Sequence, residues 1–169
     1  EAFAVLKTEG RKYWHADYNF PEIHLKAKYA NYGNNDVLGS SVALLSELHN
    51  IKELNETFFW DWHVGFGLAY FTKPYDALTN PENLVVGSRL MTNPMAGIGI
   101  GIKSEKSELL FSASFRHTSN GHFRVPNIGT NTIMGGLTWK YLMKEVPKIM
   151  ADTTYDAKHS WLSVGAGIG

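Results

Sequence analysis

The stretch Phe58-Phe59-Trp60-Asp61-Trp62-His63-Val64-Gly65-Phe66-Gly67-Leu68-Ala69-Tyr70 decides how this chain is read. Phe58, Trp60, Trp62, Val64, Phe66, Leu68 and Tyr70 fall on one side of an extended backbone; Asp61, His63, Gly65, Gly67 and Ala69 fall on the other. Side chains alternate across a strand with period two, so one face of this segment is apolar from end to end. Such a run is longer than the usual strand of a globular protein and suits a tilted crossing of a bilayer.

The same period recurs on both sides of it. Residues 2–8 form a short apolar run, and 10–21 read as a connection with interfacial aromatics (Tyr13, Trp14, Tyr18, Phe20). In residues 22–32, Ile23, Leu25, Ala27 and Tyr29 oppose His24, Lys26 and Lys28. Residues 40–51 set Val42, Leu44 and Leu48 against Glu47 and His49, with Leu45 out of place on the polar side. Downstream, strands are expected over 88–102, 108–119, 131–143 and from 162 onward, where Ile98, Ile100, Phe111, Phe115, Ile133 and Leu137 hold the apolar parity. Trp60, Trp62, Trp139 and Tyr141 read as an interfacial girdle.

Short charged turns follow Ile51 and Ile102, whereas longer Gly/Asn/Pro-rich loops follow Tyr32, Phe71 and Ser119. That alternation is expected of an all-β, antiparallel, up-and-down transmembrane β-barrel of about eight strands, with the long loops outside. Residues 1–169 then form one barrel domain; both ends fall on the outer side, so further flanking strands are expected.

Composition narrows the function classes. Sixteen Lys plus Arg balance sixteen Asp plus Glu, which gives no basic excess for nucleic acid. Without cysteine there is no disulfide framework and no thiolate metal site.

The chemistry-bearing stretch is Phe115-Arg116-His117-Thr118-Ser119-Asn120-Gly121, followed by Pro126-Asn127-Ile128-Gly129-Thr130-Asn131. His117 and Ser119 share the apolar face with Phe111 and Phe115, so a base and a hydroxyl point toward lipid in a membrane barrel. A neighbouring imidazole can take the serine proton, and an acyl-transfer oxyanion needs donors, for which Asn120, Gly121 and His122 are nearest in sequence. Arg124 and Lys73, in outer loops, are candidates for pairing with phosphates.

His117 to Asn131 resembles the lipid A 3-O-deacylase (PagL-like) family of outer-membrane β-barrels. The resemblance implies hydrolysis of an acyl chain esterified to lipid A, in the bacterial outer membrane, by a serine–histidine–acid triad on the outer barrel wall and without a cofactor. Ser119 is then the nucleophile and His117 the base. The family pattern has a glutamate twelve residues after the serine; here that slot is Asn131. An asparagine can hold an imidazole in its tautomer but supplies no charge. Two readings follow, a working dyad oriented by Asn131 (favoured here) and a barrel whose catalysis has lapsed. Glu108 has the wrong parity to replace it, while Asp36, Asp76 and Glu82 occupy outer loops.

The inward set His24, Lys26, Lys28, Glu47, His49, Asp61 and His63 reads either as a metal site or proton path, or as an ionic plug. The plug is preferred, because no metal-ligand spacing occurs, and no metal is expected. Two rival functions stand beside the esterase. One is a non-catalytic structural or binding barrel; the other is a soluble lipocalin-like binder, which Gly65, Gly67, Gly97 and Gly99 on the polar face oppose.

Overall fold

In the computed structural model, residues 1–8, 12–142 and 161–168 are described. The strands are β1 (Ala2–Lys7), β2 (Glu22–Asn31), β3 (Ser40–Glu53), β4 (Phe58–Phe71), β5 (Leu90–Thr92), β6 (Met95–Lys103), β7 (Ser107–Thr118), β8 (Thr130–Leu142) and β9 (Trp161–Ile168). All pairings are antiparallel, in the order β1-β2-β3-β4-β6-β7-β8-β9, with β5 also on β4. The sheet curls until β9 lies alongside β1, which makes an up-and-down barrel. No helix among the described residues is long and apolar enough to cross a membrane, a fact without bearing on strands.

The expected strand over 88–102 is two pieces. β5 and β6 pair with β4 in one continuous register, Leu68↔Thr92 and Gly65↔Met95, so they are one crossing interrupted at Asn93-Pro94. Proline has no N–H to give to a ladder, which is why the strand breaks there. With β5 and β6 counted together, the sheet has the eight crossings that the alternation predicts. The connection read over 10–21 contains one helical turn, α1 (Tyr13–Asp17). The connection expected over 144–159 lies outside the described residues.

The two faces separate as the period requires. Tyr29, Leu44, Phe66, Ile98, Phe111, Ile133 and Leu137 are exposed on the outer wall, whereas His24, Glu47, His49, Asp61, His63, Arg116 and Lys140 are buried inside. This is the reverse of a water-soluble barrel and matches one solvated by hydrocarbon. Leu45, the apparent exception to alternation, packs inside with Ala43, Ala69, Phe71, Val86 and Met91. Residues 72–89 between β4 and β5 supply Val86 to that cluster, which forms a small apolar core at the barrel end carrying the long loops.

Candidate functional site

The antiparallel register of β7 with β8 puts His117 directly opposite Asn131. Their side chains meet on the outer wall, His117 Nδ1 to Asn131 Oδ1 at 2.7 Å. Because a carbonyl oxygen can only accept, Nδ1 carries the proton and Nε2 presents its lone pair. In a neutral imidazole this contact selects the tautomer protonated at Nδ1.

Ser119 follows β7 on the same face and is held by the neighbouring crossing. Thr92 N donates to Ser119 O at 2.7 Å, Ser119 N to Thr92 O at 3.2 Å, and Thr92 Oγ1 to Ser119 O at 2.8 Å. This bridge continues the β6–β7 register past Pro94, whose carbonyl accepts from His117 N at 3.0 Å. Among the described residues no hydrogen bond joins Ser119 Oγ to His117. Both converge on Gly129, where a Cβ would lie 3.4 Å from Ser119 Cβ and 3.6 Å from His117 Cε1. Gly129 adopts φ +71° and a Cβ there would stand 2.6 Å from Thr118 O, so glycine is the residue that fits.

The loop that follows is braced from within. Asn120 is buried; its Nδ2 donates to Arg124 O at 2.9 Å and its Oδ1 accepts from His122 N at 3.0 Å. The Asn120 side chain and the His122 amide, two of the three expected oxyanion donors, are therefore engaged in holding the loop. Gly121 and His122 turn the chain at φ +63° and +70°. Residues 72–89 support the same loop, with Ile128 N donating to Leu84 O and Gly129 N to Val85 O, both at 3.1 Å.

The outer-loop charges fall into separate places. Lys73 lies beside Gly39, and its carbonyl accepts from Asn83 Nδ2 at 2.6 Å. Arg124 is exposed and its charge is felt by Asp76. Asp76 Oδ1 accepts from Thr79 N, Leu78 N and Thr79 Oγ1 at 2.9–3.0 Å. The Thr79 amide above all, then that of Leu78, holds this carboxyl below the ordinary aspartate range. It is occupied in shaping its own turn. Asp36 and Glu82 are exposed in their loops, and Glu108 points inward to Lys140 at 3.4 Å.

Inside, an ionic network spans the strands. Lys26 meets Glu47 at 2.7 Å; Glu47 meets His49 Nε2 at 3.1 Å; His49 Nδ1 and His63 Nδ1 meet Asp61 at 3.1 and 2.7 Å. His24 and His49 stack at 3.8 Å, as do His49 and His63 at 4.5 Å. His49, Asp61 and His63 bring ligand atoms close enough to hold a metal ion, yet the approach of each imidazole to Asp61 is also an ordinary hydrogen bond. Sequence reading missed Glu22, which binds Lys140 at 3.1 Å and His24 at 3.0 Å. Parity alone would have placed both inside.

An antiparallel barrel with an apolar outer wall and an ion-paired interior belongs to the inside-out class of β-barrels, and here the outer wall carries a histidine oriented by an amide beside a serine. Residues 1–140 match the family described as Lipid A 3-O-deacylase (PagL), and the chain belongs to that family. No curated protein and no solved structure matches it.

Proposed function

We propose that this chain is an outer-membrane esterase that removes an ester-linked acyl chain from lipid A. Ser119 attacks the acyl carbonyl, and His117 Nε2 takes the serine proton and delivers it to the leaving alkoxide. Water deprotonated by the same Nε2 then cleaves the acyl-serine to release the fatty acid and return the proton to Ser119, and Asn131 keeps His117 in the required tautomer. The Gly121 amide is the oxyanion donor we favour, since Asn120 Nδ2 and the His122 amide are committed within the loop. Arg124 and Lys73 are proposed to meet the phosphates of the substrate.

The observation that carries this reading is the 2.7 Å contact from His117 to Asn131 on the hydrophobic wall, with Ser119 two residues along on the same face. Catalytic hydrogen bonds are often open without substrate. Two residues apart on one face of an extended segment, Ser119 and His117 are within side-chain reach of each other. The membrane placement rests on the exposed aliphatic and aromatic belt of the outer wall.

Ser119→Ala should abolish fatty-acid release from lipid A, read by mass spectrometry, while the barrel stays folded in detergent. Unchanged release would refute the assignment of Ser119. A wild-type protein that is folded and inserted yet leaves lipid A intact would favour the non-catalytic barrel.

A further inference from the structure

A cation stands on the outer wall close to the nucleophile and takes no part in the proton transfers of Ser119 and His117. Arg89 immediately precedes β5, and its carbonyl accepts from Phe71 N at 2.7 Å, so the backbone there still follows β4. The side chain turns outward. Its Nη1 donates to Tyr70 Oη at 3.1 Å, and the guanidinium lies 6.0 Å from the centre of the Tyr70 ring. Tyr70 is an exposed member of the apolar face, at the end of β4 next to the long loops. Arg89 is itself exposed, and among the described residues no carboxylate lies within ion-pair distance of it. A charge on a lipid-facing wall is costly at the bilayer midplane and nearly free at the interface, where a long side chain can keep its head among polar groups.

The strand register ties Arg89 to the nucleophile. Thr92 pairs with Leu68 on one side and bridges to Ser119 on the other. Arg89 is three residues from Thr92 toward the long loops, about 10 Å along the strand. The same segment is packed against the loop after Ser119. A Cβ on Gly87 would collide with the Pro126 carbonyl and stand 2.8 Å from that of Arg124. Arg89 and Ser119 therefore belong to one rigid frame, with the guanidinium on the headgroup side of the hydroxyl. An ester presented to Ser119 with its acyl chain in the hydrocarbon has its sugar toward the long loops, which brings a phosphate on that sugar to the level of Arg89. A guanidinium held by a phenol rather than a carboxylate keeps its charge uncompensated and its fork available for phosphate oxygens.

We propose that Arg89 is a substrate-recognition residue that binds the anomeric phosphate of lipid A, the phosphate on the sugar whose 3-O-acyl ester faces Ser119. The placement of that sugar rests on the esterase reading. Tyr70 positions the guanidinium, and Arg124 and Lys73 are left for the second phosphate.

The test compares initial-rate fatty-acid release from lipid A and from lipid A lacking the anomeric phosphate, in mixed micelles. On intact lipid A, Arg89→Gln should raise KM about tenfold with kcat changed less than about twofold, and Arg89→Lys should recover part of the loss. On the lipid without that phosphate the wild type should show the raised KM, and Arg89→Gln should add nothing to it. An unchanged KM on intact lipid A, or an equal loss on both lipids, would overturn the proposal. Binding of the two lipids to Ser119→Ala gives the same comparison without turnover. The preference for intact lipid A should disappear when Arg89→Gln is added, and the lack of any preference would also overturn the proposal. A folded wild type that releases no fatty acid yet keeps this Arg89-dependent preference would refute the esterase reading and leave the phosphate contact standing.

Discussion

Replacing Asn131 by aspartate exchanges an amide oxygen for a carboxylate oxygen without changing the length of the side chain. The β7–β8 register fixes the distance to His117 Nδ1, so the 2.7 Å contact survives the exchange. What changes is charge. During attack by Ser119 the imidazole becomes an imidazolium, which the neutral Asn131 orients without compensating. A hydrogen bond between neutral groups contributes about 1 kcal/mol and one to an ionised partner about 1.5–3 kcal/mol. The difference, about 1–2 kcal/mol realised only in the transition state, corresponds to roughly five- to thirty-fold in rate. Asn131→Asp should therefore raise kcat for acyl release by about tenfold with KM nearly unchanged, and Asn131→Glu should raise it too. Asn131→Leu, which frees the tautomer, should lower kcat by about tenfold or more. The measurement is initial-rate fatty-acid release from lipid A in mixed micelles. A lower kcat in Asn131→Asp with the barrel intact, or an unchanged rate in Asn131→Leu, would show that the contact does not orient a base.

Three further perturbations test the frame of the barrel. Gly129→Ala places a methyl against Thr118 O and between Ser119 and His117 at a left-handed φ; it should cost about 1–2 kcal/mol in urea unfolding and reduce kcat at least about tenfold. Asp61→Ala strips His49 and His63 of their shared, fully buried acceptor and should destabilise the barrel by about 3–5 kcal/mol, whereas Glu53→Gln, at the exposed pair with Lys103, should change the unfolding midpoint by less than about 1 kcal/mol.

Much of the fold was legible because a membrane barrel writes its inside and outside into alternate residues. Phe58 to Tyr70 gave parity, Tyr29 and Phe115 repeated it, and the loop lengths told one end from the other. The contact of His117 with Asn131 was legible for a related reason: a hairpin register brings residues fourteen apart into cross-strand contact. Contacts of long sequence separation were not. Lys140 binds Glu22 across 118 residues, and nothing local in either segment announces the partner. Leu45 looked like a lapse in pattern because its reason, a small core under residues 72–89, lies in tertiary packing. The engagement of Asn120 inside its loop was equally hidden, since a polar residue after a candidate nucleophile reads the same whether it faces substrate or backbone.

The chained carboxylates and imidazoles on β2, β3 and β4 have a mechanical consequence. Lys26, Glu47, His49, Asp61 and His63 tie the neighbouring strands β2, β3 and β4 to one another along one side of the interior, so that part of the wall behaves as one stiff plate. The hairpin of β7 and β8 lies outside that plate, and the spacing of His117 from Asn131 is kept by its own twelve-pair backbone register.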